Sequence, residues 1–154
     1  MSLPAGHHGD RHAGRCLCGA VRVVVEGPLG GISACHCALC TRWGGGVQMG
    51  VAVPAGRVTI TGPVKSHRSS RLAERAWCDT CGTSLYLRDV AGPGAAEIEL
   101  CPGLFLGDMG DARLERVVYA DRTVGGIELA GDVLRVSRAD YEAEHPHLDE
   151  EPAP

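Results

Sequence analysis

The sequence predicts an all-β, mainly antiparallel domain with a short helix at its C-terminal end. Three observations carry that reading. Gly 22 and Pro 9 among 154 residues punctuate the chain with turns. Short β-branched runs fill the gaps between those turns. Seven of the eight cysteines fall into three tight clusters able to clasp such strands together. The length fits one domain. With aromatics at only 4%, its core must be built from Val, Leu, Ile and Ala.

Residues 1–13, with His7, His8 and His12, read as a flexible tail, and residues 14–146 as the domain. Ala20 to Val25 is a β-branched strand closed by Gly27-Pro28-Leu29-Gly30-Gly31. Ile32-Ser33-Ala34 forms a short strand leading into a loop that holds Cys35, Cys37 and Cys40. Trp43-Gly44-Gly45-Gly46 breaks regular structure. Val47 to Val53 alternates as a half-buried strand does, and after a turn at Pro54-Ala55-Gly56 the run Arg57 to Thr61 continues beside it. Lys65 to Trp77, polar and Arg-rich, is an edge strand or a strand pair. Ser84 to Leu87 and Glu97 to Leu100 are further strands, and residues 102–113 read as loop. Leu114 to Tyr119 and Val133 to Val136 each add a strand. Ser137 caps a short helix with Asp140 at its third position; that helix runs to about Glu144 and stops before Pro146. Residues 147–154 form an acidic, Pro-rich tail expected to be disordered.

A net charge of -4 gives no general attraction to nucleic acid or to an anionic membrane. Neither a secretory signal nor an apolar run of membrane-spanning length is visible. A cytoplasmic protein is therefore expected, in a compartment where thiols stay reduced. The sequence carries no signal for oligomeric state.

The clusters are Cys16-Leu17-Cys18-Gly19, then Cys35-His36-Cys37-Ala38-Leu39-Cys40, then Cys78-Asp79-Thr80-Cys81-Gly82. Cysteines one or two residues apart make strained disulfides. As thiolates they converge readily on one ion, and such spacings are a signature of tetrahedral zinc. Cys16 and Cys18 with Cys78 and Cys81 give four ligands at about 2.3 Å, a closed structural site. Gly19 and Gly82 supply the left-handed backbone that follows each knuckle. Cys35, Cys37 and Cys40 give three ligands, and three with one open position is the pattern of catalytic zinc. In the competing reading His36, Cys101 or a carboxylate fills the fourth place and this site too is structural. Two zinc ions per chain are expected.

The order Gly14-x-Cys16-x-Cys18-Gly19, Cys35-His36-Cys37-x-x-Cys40, Trp77-Cys78-x-x-Cys81-Gly82-Thr83 resembles the glutathione-dependent formaldehyde-activating enzyme family, which also includes centromere protein V. The resemblance covers about residues 14–120. It implies a β-tent fold of stacked antiparallel sheets around zinc, and the same division of ligands between two ions. It also implies carbon–sulfur lyase chemistry in which glutathione condenses with formaldehyde to S-hydroxymethylglutathione. A small thiol such as glutathione and a small aldehyde are thus the expected partners. Glutathione carries two carboxylates, so arginines should line the approach. Arg42, two residues beyond a ligand, is the first candidate; Arg68, Arg71 and Arg75 come after it, since a charged edge strand of that composition is usually just solvated. Trp43 is a candidate pocket wall. His36 is a candidate proton shuttle, with the competing reading that it turns away and caps the loop. The alternative to a lyase is a non-catalytic zinc-stabilised protein-interaction module. Methionine sulfoxide reduction would need a lone nucleophilic Cys, but Cys101, between Leu100 and Pro102, reads as core.

Overall fold

The computed structural model describes residues 11–148. His7 and His8 and the acidic tail from residue 149 lie outside them. Eleven strands form two sheets. The smaller holds β1 (Arg11–Arg15), β2 (Arg22–Glu26) and β5 (Val58–Thr61) in the order β1-β2-β5, all antiparallel. The larger comprises β3 (Ile32–Cys35), β4 (Gln48–Pro54), β6 (Val64–Arg68), β7 (Ala73–Cys78), β8 (Ser84–Asp89), β9 (Glu97–Leu100), β10 (Leu114–Val118) and β11 (Leu134–Val136). Its order is β11-β10-β3-β4-β9-β8-β7-β6, antiparallel except where β10 runs parallel to both β3 and β11. Two helices complete the fold: α1 (Ala38–Gly44) and α2 (Arg138–Glu144). The protein is thus mostly β, largely antiparallel and closed by a short C-terminal helix. Among the described residues no helix is long and apolar enough to cross a membrane.

Period-two alternation divides the larger sheet into two working faces. Val51 and Val53 of β4, Ile98 and Leu100 of β9, and Cys78 of β7 turn to the smaller sheet, where they pack with Val21, Val23 and Val25. Leu104 and Phe105, in a 3-10 turn over Pro102–Phe105, complete this core; Phe105, the single Phe of the chain, is fully buried. The other face of the same strands, with Ala52, Glu97, Glu99 and Arg75, looks into a cavity.

Three expectations are corrected. β1 begins at Arg11, inside the expected tail of residues 1–13, and His12 is 2% exposed. RHAGR has no β-branched residue; it becomes a strand by pairing with β2 and by bonding to Asp108. His12 Nδ1 lies 2.9 Å from the Asp108 carbonyl oxygen, and the Ala13 N–H donates to its carboxylate at 2.8 Å. The stretch after Cys37 is helix, not loop. Cys37 itself is the N-cap, its sulfur accepting from the Cys40 N–H, and Gly45 at φ 76° closes the helix by bonding to the Thr41 carbonyl. The Gly run ends a helix there instead of forbidding one. Within 102–113, expected as loop throughout, lies the 3-10 turn that buries Leu104 and Phe105. Lys65 to Trp77 resolves as a strand pair, β6 with β7. The cap at Ser137 is present, its hydroxyl accepting from the Asp140 N–H at 3.2 Å.

Because Phe105 fills the space between the sheets, Phe105→Ala should remove about 3–5 kcal/mol of stability. A urea unfolding series should show the midpoint falling with the slope unchanged.

Candidate functional site

The first cluster joins two segments far apart in the chain. Cys16 and Cys18 lie in the turn between β1 and β2, Cys78 ends β7, and Cys81 sits in the knuckle before β8. Their four sulfurs all lie within 4.8 Å of one another. Cys16 to Cys18 is 3.5 Å and Cys18 to Cys78 is 3.9 Å. A tetrahedron with arms of about 2.3 Å has edges of about 3.8 Å, so these sulfurs already stand at the spacing zinc requires. Gly19 and Gly82, at φ 78° and 77°, turn each knuckle as expected. The Val21 N–H donates to Cys16 Sγ at 3.2 Å. Thr83 bridges the two halves: its Oγ1 accepts from the Leu17 N–H and lies 3.1 Å from Cys81 Sγ. That hydroxyl is the leading cause holding Cys81 down at about 5, so the sulfur is poised as thiolate.

The second cluster is built at a strand-to-helix corner. Cys35 ends β3, Cys37 caps α1 and Cys40 lies in its first turn, and their sulfurs too lie within 4.8 Å of one another. The Cys37 N–H points at Cys35 Sγ (3.5 Å) and the Cys40 N–H at Cys37 Sγ (3.4 Å). Negative charge gathers on Cys37: hydrogen bonds from Cys35 and then Cys40 hold it far below the thiol range, while the same contact pushes Cys35 far above it. Among the described residues no fourth His, Cys, Asp or Glu joins the set. A donor set of three thiolates fits zinc with one position to spare.

This cluster opens onto a cavity of about 320 Å³. Its walls carry two cations, Arg75 and Arg116, and three acids, Asp89, Glu97 and Glu99, with Tyr119 and Tyr141 from the C-terminal segment. Burial, then the neighbouring Asp89, raises Glu99 from 4.5 to about 7, while Arg75 partly opposes the rise. Burial lifts Tyr141 to about 12, so its hydroxyl stays protonated. The guanidinium of Arg116 lies 5.3 Å above the Tyr141 ring, which itself packs at a tilt against Tyr119 at 5.6 Å.

The expected substrate residues are redistributed. Arg42 is exposed on α1 and is absent from the cavity walls; Arg75, read as a solvated edge, is 2% exposed and reaches Cys40 Sγ at 3.3 Å. The edge belongs to β6, whose pairing covers β7. His36 is not on the wall of the cavity that the sulfurs open onto. Its Nδ1 lies 3.3 Å from the Gly46 carbonyl oxygen, and the residue lines a separate cavity of about 170 Å³. Trp43 packs on Trp77 at 5.8 Å instead of walling the main cavity. Cys101 sits just beyond β9 against the core, where burial raises its thiol to about 11. Sequence reasoning missed Glu99, Arg116 and Tyr141. The signal for Glu99 lies in Glu97-Ile98-Glu99-Leu100: its apolar half faces the core, so its acidic half must face something else.

Fold and site together define a mostly β protein with two thiolate clusters spaced for metal, one enclosed in the fold and one opening on a polar cavity. The model of the glutathione-dependent formaldehyde-activating enzyme family matches residues 11–112, and the chain belongs to that family. An uncharacterized lyase of Schizosaccharomyces pombe is 35% identical over 78 residues, or 49% of this chain and 56% of that one. The chain therefore spans about half the length of the curated relative it matches. A Rhodobacter sphaeroides protein of known crystal structure shares the fold, with a TM-score of 0.52 at 22% identity, covering 66% of this chain and 98% of that one.

The raised Glu99 has a consequence for stability. The unfolded chain releases this proton near 4.5, the folded chain only near 7, so the folded state holds more protons between them and stability falls as pH rises through that window. Glu99→Gln should flatten that slope and leave the protein more stable than wild type above pH 7, as thermal melts across pH 4 to 8 would show.

Proposed function

We propose that the protein is a zinc-dependent, carbon–sulfur lyase-like protein acting on the adduct of a thiol and a small aldehyde, glutathione and formaldehyde being the pair its family points to. One observation carries this reading: three sulfurs, with no fourth protein donor among the described residues, open onto a cavity lined by both cations and acids. We assign Cys16, Cys18, Cys78 and Cys81 to a structural zinc. Cys35, Cys37 and Cys40 are assigned to a second, giving two per chain. All eight cysteines are free, as a reducing cytoplasm keeps them.

A zinc ion held by Cys35, Cys37 and Cys40 would supply Lewis acidity, easing loss of the thiol proton. The chain's own residues do the rest. Arg116 gives the cavity a cation to hold a carboxylate of a glutathione-like thiol. Tyr141 keeps its proton and offers a hydroxyl donor to the same ligand. Glu99, with a pKa near neutrality, takes and returns a proton at working pH. In the forward step the thiol sulfur bonds to the carbonyl carbon and the C=O π pair moves to oxygen. The thiol's proton passes by way of Glu99 to that oxygen, leaving a hydroxymethyl thioether. The reverse step breaks the same C–S bond and returns the proton to sulfur.

Protein made in zinc-sufficient medium should contain about two zinc per chain and accelerate S-hydroxymethylglutathione formation, followed by NMR with ¹³C-formaldehyde. Cys16→Ser or Cys81→Ser should abolish folding, whereas Cys37→Ser should remain folded with one zinc and no acceleration. A folded, two-zinc protein that gives only the spontaneous rate would overturn the lyase reading for this pair and favour an interaction module.

A further inference from the structure

Arg75 has a burial that its ordinary partners do not explain. It is 2% exposed, and it makes no ion pair with a carboxylate among the described residues. Its Nη2 donates to Cys40 Sγ at 3.3 Å, its Nη1 donates to the Ser69 hydroxyl, and its guanidinium lies 6.0 Å from the Trp43 ring. Ser69 is itself fixed, its hydroxyl donating to the Ala73 carbonyl at 3.2 Å. A guanidinium cannot shed its proton. Buried without an opposite charge it would be strongly destabilising. The carboxylates of Asp89 and Glu99 attract it across the cavity without pairing with it, and the group it touches is Cys40 Sγ, where the bond becomes charge-assisted once a metal ion holds that sulfur as a thiolate.

We propose that Arg75 is the counter-ion of the Cys35/Cys37/Cys40 cluster, a positioning residue that fixes Cys40 and cancels the excess charge of the metal-thiolate site. The inference rests on the reading that these three sulfurs hold a divalent ion. Three thiolates around such an ion leave one net negative charge, and one buried guanidinium brings the assembly to neutrality. A charged donor on sulfur also draws electron density off it, so the sulfur gives less to the metal and the metal remains the stronger Lewis acid. At the four-sulfur cluster the Val21 N–H donates to Cys16 and the Thr83 hydroxyl lies against Cys81, and Cys18 is exposed, so water can offset its charge. The second cluster has its charge balanced from within the fold instead.

Cobalt(II) replacement with chelator competition tests this on the full chain, without reference to turnover. Wild-type protein should load two ions. Arg75→Met should keep the ion of the four-sulfur cluster and bind the other roughly 10–100-fold more weakly. Its sulfur-to-cobalt charge-transfer band should move to longer wavelength, since the sulfur lone pair loses its donor. Arg75→Lys, which restores the charge without the fork, should recover part of both. Folded Arg75→Met with wild-type affinity and band position would overturn the counter-ion role while leaving the metal site standing. A wild-type chain that loads one ion only would overturn the site and this role together. If Arg75→Met does not fold, Ser69→Ala, which frees Nη1 and leaves the charge in place, should shift the band in the same direction by less. An unmoved band there would overturn the proposal.

Discussion

The fold depends on bringing four sulfurs from distant segments into one small volume. Cys18 and Cys78 are sixty positions apart in sequence and 3.9 Å apart in space. Cys16 belongs to the turn of the smaller sheet and Cys78 to a strand of the larger, and both are also members of the hydrophobic core. The knuckles therefore sit where the two sheets meet, and whatever holds the sulfurs together also holds the sheets in register. With one Phe and few aromatics, the core has little large apolar area to do this unaided. Thr83 reinforces the junction, since one hydroxyl serves a backbone N–H on the first side and a sulfur on the second.

Once the sheets are joined, the cavity follows from the pleat. One face of β4 and β9 is consumed by the core, and the opposite residues, among them Ala52, Glu97 and Glu99, have nowhere to go but the far side. There β3 delivers Cys35, the start of α1 delivers Cys37 and Cys40, and β7 delivers Arg75. The segment from β10 onward, beyond the residues matched by the family, closes the space with Arg116, Tyr119 and Tyr141. The sulfurs thus come from the part shared across the family, and much of the wall facing them comes from elsewhere.

What the sequence disclosed was whatever local chemistry dictates. Cysteine spacing, left-handed glycines after each knuckle, β-branched runs and the Ser137 cap are properties of a few adjacent residues and are found as local features, although Arg57 to Thr61, expected beside Val47 to Val53, pairs with β2 in the other sheet. What it hid depends on partners remote in the chain. RHAGR carries no strand signal, because β2 and Asp108 make it a strand. Arg75 looked solvated because its neighbours in sequence are polar, yet β6 covers that edge and Cys40 waits thirty-five positions upstream. The helix after Cys37 escaped notice because a thiol stood in the cap position usually held by Ser, Thr, Asp or Asn.

The two clusters share a ligand chemistry but not a surrounding medium, and the difference separates their roles. A four-thiolate site with a water-exposed member can leave its excess charge to solvent, and nothing about it invites a further ligand. A three-thiolate site within a cavity can neither dissipate its charge nor complete its shell from the described protein donors. Were a metal ion held there, the first deficit would be met by Arg75 beside Cys40 and the second by a ligand entering from outside. Glu99, on the wall of the same cavity, keeps its proton to about 7 because it is buried and because Asp89 stands beside it. The same burial thus leaves, on the cavity that the three sulfurs open onto, an acid able to exchange a proton at neutral pH.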